Sequence, residues 1–261
     1  MGGESMTRTA PHGGGTGTAP AGGGRLGQRI SGLAVALGLV LFLGGFAWGA
    51  VVYRPYTVPT ASMSPTIGVG DRVLAQRVDG DEVRRGDVVV FEDRDWVSDA
   101  KVVKRVVAVG GDTVSCCADG RLTVDGKRIE EPYLPADSLA GNRKFAAVTV
   151  PEGRLFLLGD ERQNSLDSTA HLTDAAQGTV SRDAVSARVD AVVWPWKGGL
   201  QRPTGFETLG ALSRPGPLRT IELLILAGAV LVLGGGAYGP VAARLGRSRT
   251  ATTRPEAAGA R

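Results

Sequence analysis

The sequence has 261 residues, 43% of them hydrophobic and 21% charged, which is enough for one sizeable domain with additional segments. Its formal net charge of +4 is small for this length and is not the concentrated basic charge typical of a nucleic-acid-binding protein. Most of the basic residues are arginines, which stay protonated in proteins, so an amino-group base has to come from a small number of lysines.

Two apolar stretches frame the chain. Residues 30–53 contain no charged residue and are long enough to cross a hydrocarbon core of about 30 Å as a helix. Residues 220–243 predict a second transmembrane helix, uncharged from Leu223 onward. Residues 1–29, rich in glycine, alanine, threonine and proline, predict a disordered tail, and residues 244–261 form a second tail.

The charges that flank these stretches predict their orientation. Arginines precede the first stretch and follow the second, and positive charge marks the cytoplasmic side. Both termini are therefore expected in the cytoplasm, with residues 54–219 on the extracytoplasmic face. The first stretch could instead be a cleavable secretory signal, since Ala47-Trp48-Gly49 has a small-x-small pattern. Its apolar run exceeds the usual length of about 7–15 residues, so we expect an uncleaved anchor.

The segment between the apolar stretches is predicted to be an all-β domain. Short runs rich in valine and leucine are separated by glycine and aspartate turns, and no convincing amphipathic helix interrupts them. The predicted strands lie at residues 72–78, 88–91, 101–109, 113–114, 146–150, 155–158 and 185–193, and residues 122–129 predict a hairpin with an Asp-Gly turn. Prolines indicate that residues 198–219 are a linker to the second apolar stretch.

Hydroxyl side chains cluster in residues 57–67, just after the first apolar stretch. Pro59 and Pro65 exclude a helix interior or a central strand, so the segment predicts a stiff, extended loop close to a membrane. A polar linker is the plainer interpretation. A hydroxyl nucleophile would need a base. His12 lies in the predicted tail, and no Gly-x-Ser-x-Gly elbow accompanies His171, which we expect to be a surface or hydrogen-bonded polar residue.

Lys104 is the other candidate base. It lies inside a valine-rich predicted strand, where alternation places it on one face with Val102, Val106 and Ala108. Burial among apolar groups would lower its pKa and leave a neutral amine that can accept a proton. A salt-bridged or snorkelling lysine is the alternative.

Two adjacent cysteines, Cys116 and Cys117, are expected on the oxidising side of the membrane. A strained vicinal disulfide, two free thiols and a bridge to another chain all remain open, because disulfide geometry seldom suits neighbouring residues. No histidine lies nearby in sequence to activate a thiolate, so we expect no catalytic role for either cysteine.

Four segments resemble, in order and content, those of type I signal peptidases, the membrane-bound serine proteases with a Ser–Lys dyad. They are PTASMSPTI (59–67), GDVVVF (86–91), VKRVVAVGGD (103–112) and GDERQNSLDS (159–168). Each segment alone is a weak signal, but four in order beside a membrane anchor are a strong one. The resemblance extends over residues 54–196. The additional C-terminal span is absent from many members of the family and known in some, and it makes the chain similar to the actinobacterial members.

The resemblance implies a role for each matched residue. Ser62 would be the nucleophile, and Lys104 the general base and then the acid for the departing amine. The Ser62 backbone N–H and the Thr60 hydroxyl would form the oxyanion hole. Ser165 would hydrogen-bond Lys104 and orient it. The remaining matched residues would hold the site together: Asp160, Arg162, Asp167 and Ser168.

The last of the four segments departs from the pattern that is usual in the family, Gly-Asp-Asn-Arg-Asp-Asn-Ser-x-Asp-Ser followed by arginine. Glu161 and Gln163 replace asparagine and aspartate, and Thr169 stands where the arginine would be. The chain therefore lacks the arginine that would pair with Asp167.

The resemblance also implies the organisation and the activity. Residues 54–197 would be the catalytic domain, with a small inserted subdomain at 113–150. The enzyme would remove signal peptides from exported preproteins by cutting after small residues. Its partners would be preproteins, the lipid bilayer and the nearby export translocon, with no nucleic acid. No metal cluster, phosphate loop or nucleotide motif is found in the sequence, so no metal or cofactor is expected.

Two other functions are compatible with parts of the sequence. A non-enzymatic, membrane-anchored β module that binds secreted proteins or cell-wall material would explain the spans and strands, but not the paired segments around Ser62 and Lys104. A related Ser–Lys autoprotease would explain the dyad. The two anchors and the lack of a DNA-binding domain count against it.

Overall fold

The structure is a computed structural model that describes residues 23–97, 100–118, 120–140 and 142–250. The described residues form two compact units. Leu43–Ile225 is one unit and contains the described strands. The other unit consists of the outer parts of two long helices, up to Phe42 and from Leu226.

Both apolar stretches are helical. Helix α1 spans Gly23–Val52 and helix α3 spans Leu218–Thr250, with the short helix α2 (Ala136–Ala140) between them in sequence. Each long helix contains a segment that is long and apolar enough to cross a membrane: Gly27–Val52 with 26 residues and Leu218–Tyr238 with 21. Most of their large apolar side chains are exposed, which suits contact with lipid.

The two helices are longer than the predicted spans. Helix α1 begins at Gly23, so the end of the tail predicted at residues 1–29 is helical, because each residue added to an existing helix gains a backbone hydrogen bond. Helix α3 likewise continues to Thr250. The rest of both predicted tails, residues 1–22 and 251–261, lies outside the described residues.

Twelve strands within the described residues form two antiparallel sheets. They are β1 (Tyr53–Thr57), β2 (Arg72–Gln76), β3 (Val88–Phe91), β4 (Val102–Val109), β5 (Thr113–Ala118), β6 (Arg121–Val124), β7 (Lys127–Arg128), β8 (Phe145–Thr149), β9 (Arg154–Leu158), β10 (Thr179–Ser181), β11 (Val185–Trp194) and β12 (Trp196–Gly199). The larger sheet has the order β1-β2-β11-β3-β4-β9-β10, with β12 paired to β11, and the smaller has the order β7-β6-β5-β8. The prediction of an all-β domain with a small second β unit is confirmed, while the exact domain boundaries stay predictions.

The centre of the larger sheet is buried on both faces. Along β3, Val88 and Val90 pack in one apolar cluster, and Val89 and Phe91 pack in another. A continuous apolar run is what a strand buried on both faces requires. Strand β1 was not predicted. It lies at the sheet edge, where Pro55 is tolerated because its missing N–H leaves no ladder hydrogen bond unmade.

Strand β4 carries Lys104 and contains a bulge. The predicted alternation holds up to Val106 but is wrong at Ala108, because the pairing of β4 with β9 shifts register between these residues. Val107 and Ala108 consequently pack in the same cluster, which joins the two sheets, whereas Val106 and Val109 pack in another.

Residues 198–219, predicted as a linker, pack against the β domain. Phe206 is fully buried in the cluster that joins the two sheets. Ser213 donates a hydrogen bond to the buried Asp87 carboxylate at 2.5 Å. Phe206 lies in a short 3-10 helix, Thr204–Leu209, so the prolines of this segment do not prevent packing. A single buried aromatic leaves no periodic signal in the sequence.

Candidate active site

The loop that holds Ser62 is anchored in the core. After β1 it tightens into one turn of 3-10 helix at Ala61–Met63, more compact than the extended loop expected from its prolines. Met63 and Ile67 are fully buried, and the backbone N–H of Ile67 donates to the Met63 carbonyl at 2.8 Å. Ser62 itself is partly exposed, so a substrate can reach it.

Lys104 meets Ser62 at the edge of this loop. Its Nζ lies 2.8 Å from the Ser62 Oγ. The lysine stands opposite Val89 on the neighbouring strand, and only 3% of it is exposed. Burial lowers the pKa of Lys104 from 10.5 to about 8, although the charges of Asp167 and Asp160 act in the opposite direction. The amine can therefore be neutral near physiological pH and accept the proton of a hydroxyl.

Thr60 brings a second hydroxyl to the same point. Its Oγ1 lies 3.2 Å from the Ser62 Oγ, and the residue is exposed. A hydroxyl donor beside the attacking oxygen can stabilise an oxyanion that forms there. The structure thus brings together Ser62, Lys104 and Thr60, the three residues predicted to act on the substrate.

The turn after β9 lies against the backbone of Ser62. The Glu161 N–H donates to the Ser62 carbonyl at 3.1 Å. A Cβ at Gly159 would collide with this carbonyl and with the Oγ of Ser165, so a side chain at position 159 would push the two segments apart.

Ser165 is buried beside this contact but is not hydrogen-bonded. It is 2% exposed, and its Oγ has no partner among the residues that the structure describes. The hydrogen bond expected between Ser165 and Lys104 is therefore not formed in this arrangement, in which the Lys104 Nζ contacts Ser62. A buried hydroxyl without a partner costs about 1–3 kcal/mol.

Asp160 forms a buried ion pair with Arg105, the residue after Lys104. The two hydrogen bonds measure 2.8 Å from Nε to Oδ1 and 2.6 Å from Nη2 to Oδ2. Arg105 also donates to the Gly86 carbonyl at 2.9 Å, and its guanidinium lies 3.9 Å from the ring centre of Tyr133. This pair joins three of the four matched segments behind the lysine.

Arg162 forms a second buried ion pair, with Glu131. Its Nη1 and Nη2 donate to the two carboxylate oxygens at 2.9 and 2.5 Å, and its Nε donates to the Gly159 carbonyl at 2.9 Å. The Tyr133 hydroxyl donates to the same carboxylate at 2.5 Å. The turn beside Ser62 is thereby tied to the segment that connects β7 and β8 of the smaller sheet.

Comparison with known proteins identifies the family. The profile of the family described as "Signal peptidase, peptidase S26" matches residues 29–194. The chain belongs to the signal peptidase S26 family. Signal peptidase I of Mycobacterium tuberculosis is 35% identical over 193 residues, which cover 55% of this chain and 66% of that protein. The chain thus matches just under two thirds of the length of this relative.

Two further signal peptidases I are similar to this chain. The enzyme of Bacillus licheniformis is 30% identical over 180 residues, covering 65% of this chain and 89% of that protein. A solved structure of the Enterococcus faecalis protein is 26% identical, with a TM-score of 0.33, and covers 45% of this chain and 96% of that one. Together with the two apolar helices, membership of the signal peptidase family indicates a membrane protein.

Asp167 shows how this chain accommodates the missing arginine. Its Oδ1 accepts hydrogen bonds from the Thr169 hydroxyl at 2.7 Å and the Thr169 N–H at 3.1 Å, while Oδ2 accepts from the Gly159 N–H at 3.0 Å. Threonine and backbone donors thus satisfy the carboxylate that an arginine was expected to pair with. The neighbouring Ser168 is fully buried, and its Oγ accepts from the Leu157 N–H at 2.8 Å.

Sequence reasoning missed part of this network. Arg105 could have been found, because it follows Lys104 inside a matched segment. Glu131 and Tyr133 lie in a stretch without periodicity, and nothing in the sequence indicates their contacts.

The remaining chemical groups lie apart from the dyad. His171 is hydrogen-bonded through Nδ1 to Asp174 at 2.8 Å and stacks on Trp96, as expected for a satisfied polar residue. Cys116 and Cys117 form a vicinal disulfide, which decides among the three states left open by the sequence.

Proposed function

We propose that this chain removes signal peptides from exported preproteins, cutting after small residues, and that Ser62 and Lys104 form its catalytic dyad. The observation that most supports the dyad is the 2.8 Å distance between a partly exposed hydroxyl and a buried lysine. Membership of the signal peptidase family supports the substrate class.

In the first step, Ser62 attacks the carbonyl carbon of the scissile peptide bond. The neutral Lys104 amine takes the Ser62 proton as the new C–O bond forms. The Ser62 N–H and the Thr60 hydroxyl stabilise the oxyanion of the tetrahedral intermediate. Collapse of the intermediate breaks the C–N bond, and the Lys104 ammonium gives its proton to the departing amine.

In the second step, water hydrolyses the acyl-enzyme. Lys104 is neutral again after the first step and takes a proton from water as it attacks the ester carbonyl. The Ser62 oxygen recovers that proton when the ester bond breaks, and the signal peptide leaves with a free carboxyl end. Every proton transfer in this cycle uses the same amine.

The surrounding residues hold these groups in position. Asp160 ties the turn beside Ser62 to Arg105, the neighbour of Lys104, and Arg162 ties the same turn to Glu131. Asp167 holds Gly159 in this turn, and Ser168 holds Leu157 at the end of β9. Ser165 accepts a hydrogen bond from the Lys104 amine, or donates one to it, once the amine leaves Ser62.

We further propose a two-pass arrangement in the membrane, with both termini in the cytoplasm and the β domain outside, near the export translocon. Arginines on the outer flanks of the two spans support this orientation. Protease added to the outside of intact cells should cut within residues 54–219 and leave both tails intact. Cleavage of the tails, with the β domain left intact, would indicate the opposite orientation in the membrane.

The function is tested with the full chain in detergent and a preprotein that has a small-x-small cleavage site. The wild type should release the mature protein, and Ser62→Ala should abolish this release. Ser64→Ala, which removes a hydroxyl two positions away in the same loop, is the matched control and should retain activity. Equal cleavage by Ser62→Ala and Ser64→Ala would exclude Ser62 as the nucleophile.

A further inference from the structure

Asp190 is a buried carboxylate outside the candidate active site. It lies on β11 and is 7% exposed. Its Oδ2 accepts a hydrogen bond from the Tyr53 hydroxyl at 2.9 Å, and its Oδ1 accepts one from Arg202 Nη2 at 2.6 Å. Arg188 Nε lies 3.5 Å from Oδ1. We call these four residues the Asp190 cluster.

The cluster gathers the two connections between the β domain and the long helices. Tyr53 is the first residue after helix α1. Arg202 belongs to the segment that leads from β12 to helix α3. Arg214 lies further along this segment, and its carbonyl accepts a hydrogen bond from Arg188 Nη2 at 3.2 Å. Close to the start of α3, a Cβ at Gly216 would collide with the Tyr53 hydroxyl and the Asp190 carboxylate. One carboxylate therefore lies between both connections.

The adjoining ends of the helices also pack against each other. A Cβ at Gly45 would lie 2.8 Å from Ile225 Cγ1, and one at Gly49 would lie 3.4 Å from Ile221 Cγ2. Ile221 is only 4% exposed, in contrast to most large side chains of these helices. Small residues allow such close helix contact. The Asp190 cluster thus stands beside a packed helix pair rather than beside two independent tethers.

The strand β1 connects this cluster to the nucleophile. It pairs with β2 in continuous register from Tyr53 opposite Gln76 to Thr57 opposite Arg72, and the Ser62 loop follows directly. A strand held along its length by a ladder is stiff, so an angular change at Tyr53 moves the Ser62 loop. Gln76, the β2 partner of Tyr53, also contacts the cluster, since Arg188 donates to its Oε1 at 2.7 Å.

We propose that the Asp190 cluster is a positioning device that fixes the orientation of the catalytic loop relative to the adjoining ends of the two long helices, residues 43–52 and 218–225. This inference rests on the proposed function. It concerns substrates whose cleavage site is held at a fixed height by their own membrane segment, because such substrates cannot move to meet a displaced nucleophile. A soluble peptide that spans the same cleavage site diffuses freely and does not depend on that orientation.

The experiment compares two substrates with the full-length enzyme in lipid vesicles. One is a preprotein whose signal segment is embedded in the same vesicles, and the other is a soluble peptide of the same cleavage sequence. Tyr53→Phe removes only the hydroxyl that contacts Asp190, and Arg202→Gln removes the charge on the opposite side. We expect both variants to lower kcat/KM for the embedded preprotein by about 5-fold or more, because a displacement of about 1 Å can cost up to about 100-fold. Cleavage of the soluble peptide should stay within about twofold of the wild type, since the reacting groups are untouched.

Tyr56→Phe is the matched control. It removes a hydroxyl on the same strand that has no hydrogen-bond partner among the described residues, so the ratio of the two activities should not change. The inference would be overturned if the ratio of kcat/KM for the embedded preprotein to that for the soluble peptide were the same in Tyr53→Phe, Arg202→Gln and the wild type. This includes an equal loss on both substrates, which a loss of stability alone produces. A wild-type enzyme that cleaves neither substrate would instead contradict the proposed function.

Discussion

Arg105 and Asp160 form a bidentate ion pair in the interior of the β domain, with side-chain exposures of 2% and 0%. The pair connects the strand that holds Lys104 to the turn that contacts Ser62, so it fixes the position of one relative to the other. A buried pair of this kind adds little stability compared with apolar residues, but the loss of one partner leaves a charge uncompensated.

The first prediction concerns this pair. Asp160→Asn leaves the Arg105 guanidinium buried without its counter-charge, so the free energy of unfolding should fall by about 3–5 kcal/mol. The measurement is chemical denaturation of the full chain in detergent. Glu92→Gln is the control, because it breaks an exposed ion pair with Lys101 and should cost less than about 1 kcal/mol. Equal denaturation midpoints for the two variants would show that the buried pair contributes no more to stability than the exposed pair.

The second prediction is the pH dependence of cleavage. Lys104 acts as a base only when it is neutral, and its pKa is lowered to about 8, so activity should rise with pH through that value. From about pH 7 to pH 9 the neutral fraction, and with it kcat/KM, should increase about tenfold. The measurement is preprotein cleavage across this range. A rate that falls with rising pH would contradict the assignment.

A variant of Asp167 tests the cause of that pKa. The negative charge of Asp167 raises the pKa of Lys104 and so acts against burial. Asp167→Asn removes this charge, and the midpoint of the pH profile should therefore move to lower pH. A midpoint that moves upward or stays in place would mean that Asp167 does not act on the lysine as a charge.

The third prediction concerns the hydroxyl that stands in place of the expected arginine. Thr169→Val keeps the backbone N–H bond to Asp167 but removes the 2.7 Å hydroxyl bond. Since the acceptor is charged and buried, the free energy of unfolding should fall by about 1.5 kcal/mol. The exposed Thr173 provides the control, and Thr173→Val should have no measurable effect. If Thr169→Val and Thr173→Val unfold alike, the threonine does not replace the arginine.

The sequence predicted the parts of the molecule that depend on local pattern. Runs such as 88–91 predicted strands, because a strand buried on both faces needs consecutive apolar residues. The segments around Ser62 and Lys104 predicted the candidate dyad through their resemblance to a family. The two residues are 42 positions apart, and only the pairing of strands brings them within 2.8 Å.

Features that depend on distant partners were not predictable. The bulge that turns Ala108 away from the face of Lys104 arises from the pairing with β9 and has no signature in a valine-rich strand. Glu131 lies between two strands of the smaller sheet and meets Arg162, which follows β9 of the larger sheet, only through the tertiary fold. The packing of residues 198–219 depends on single side chains such as Phe206, which carry no periodic signal.

The central claim is that the Lys104 amine takes the proton of Ser62. The most direct measurement is kcat/KM for preprotein cleavage by Lys104→Met at about pH 9, where most of the wild-type amine is neutral. Methionine keeps the length and apolar contacts of the lysine stem, and chemical denaturation verifies that the variant is folded. We predict a loss of at least about 1,000-fold, because no second base lies beside the hydroxyl among the described residues. A folded Lys104→Met that cleaves within about tenfold of the wild type would contradict the account.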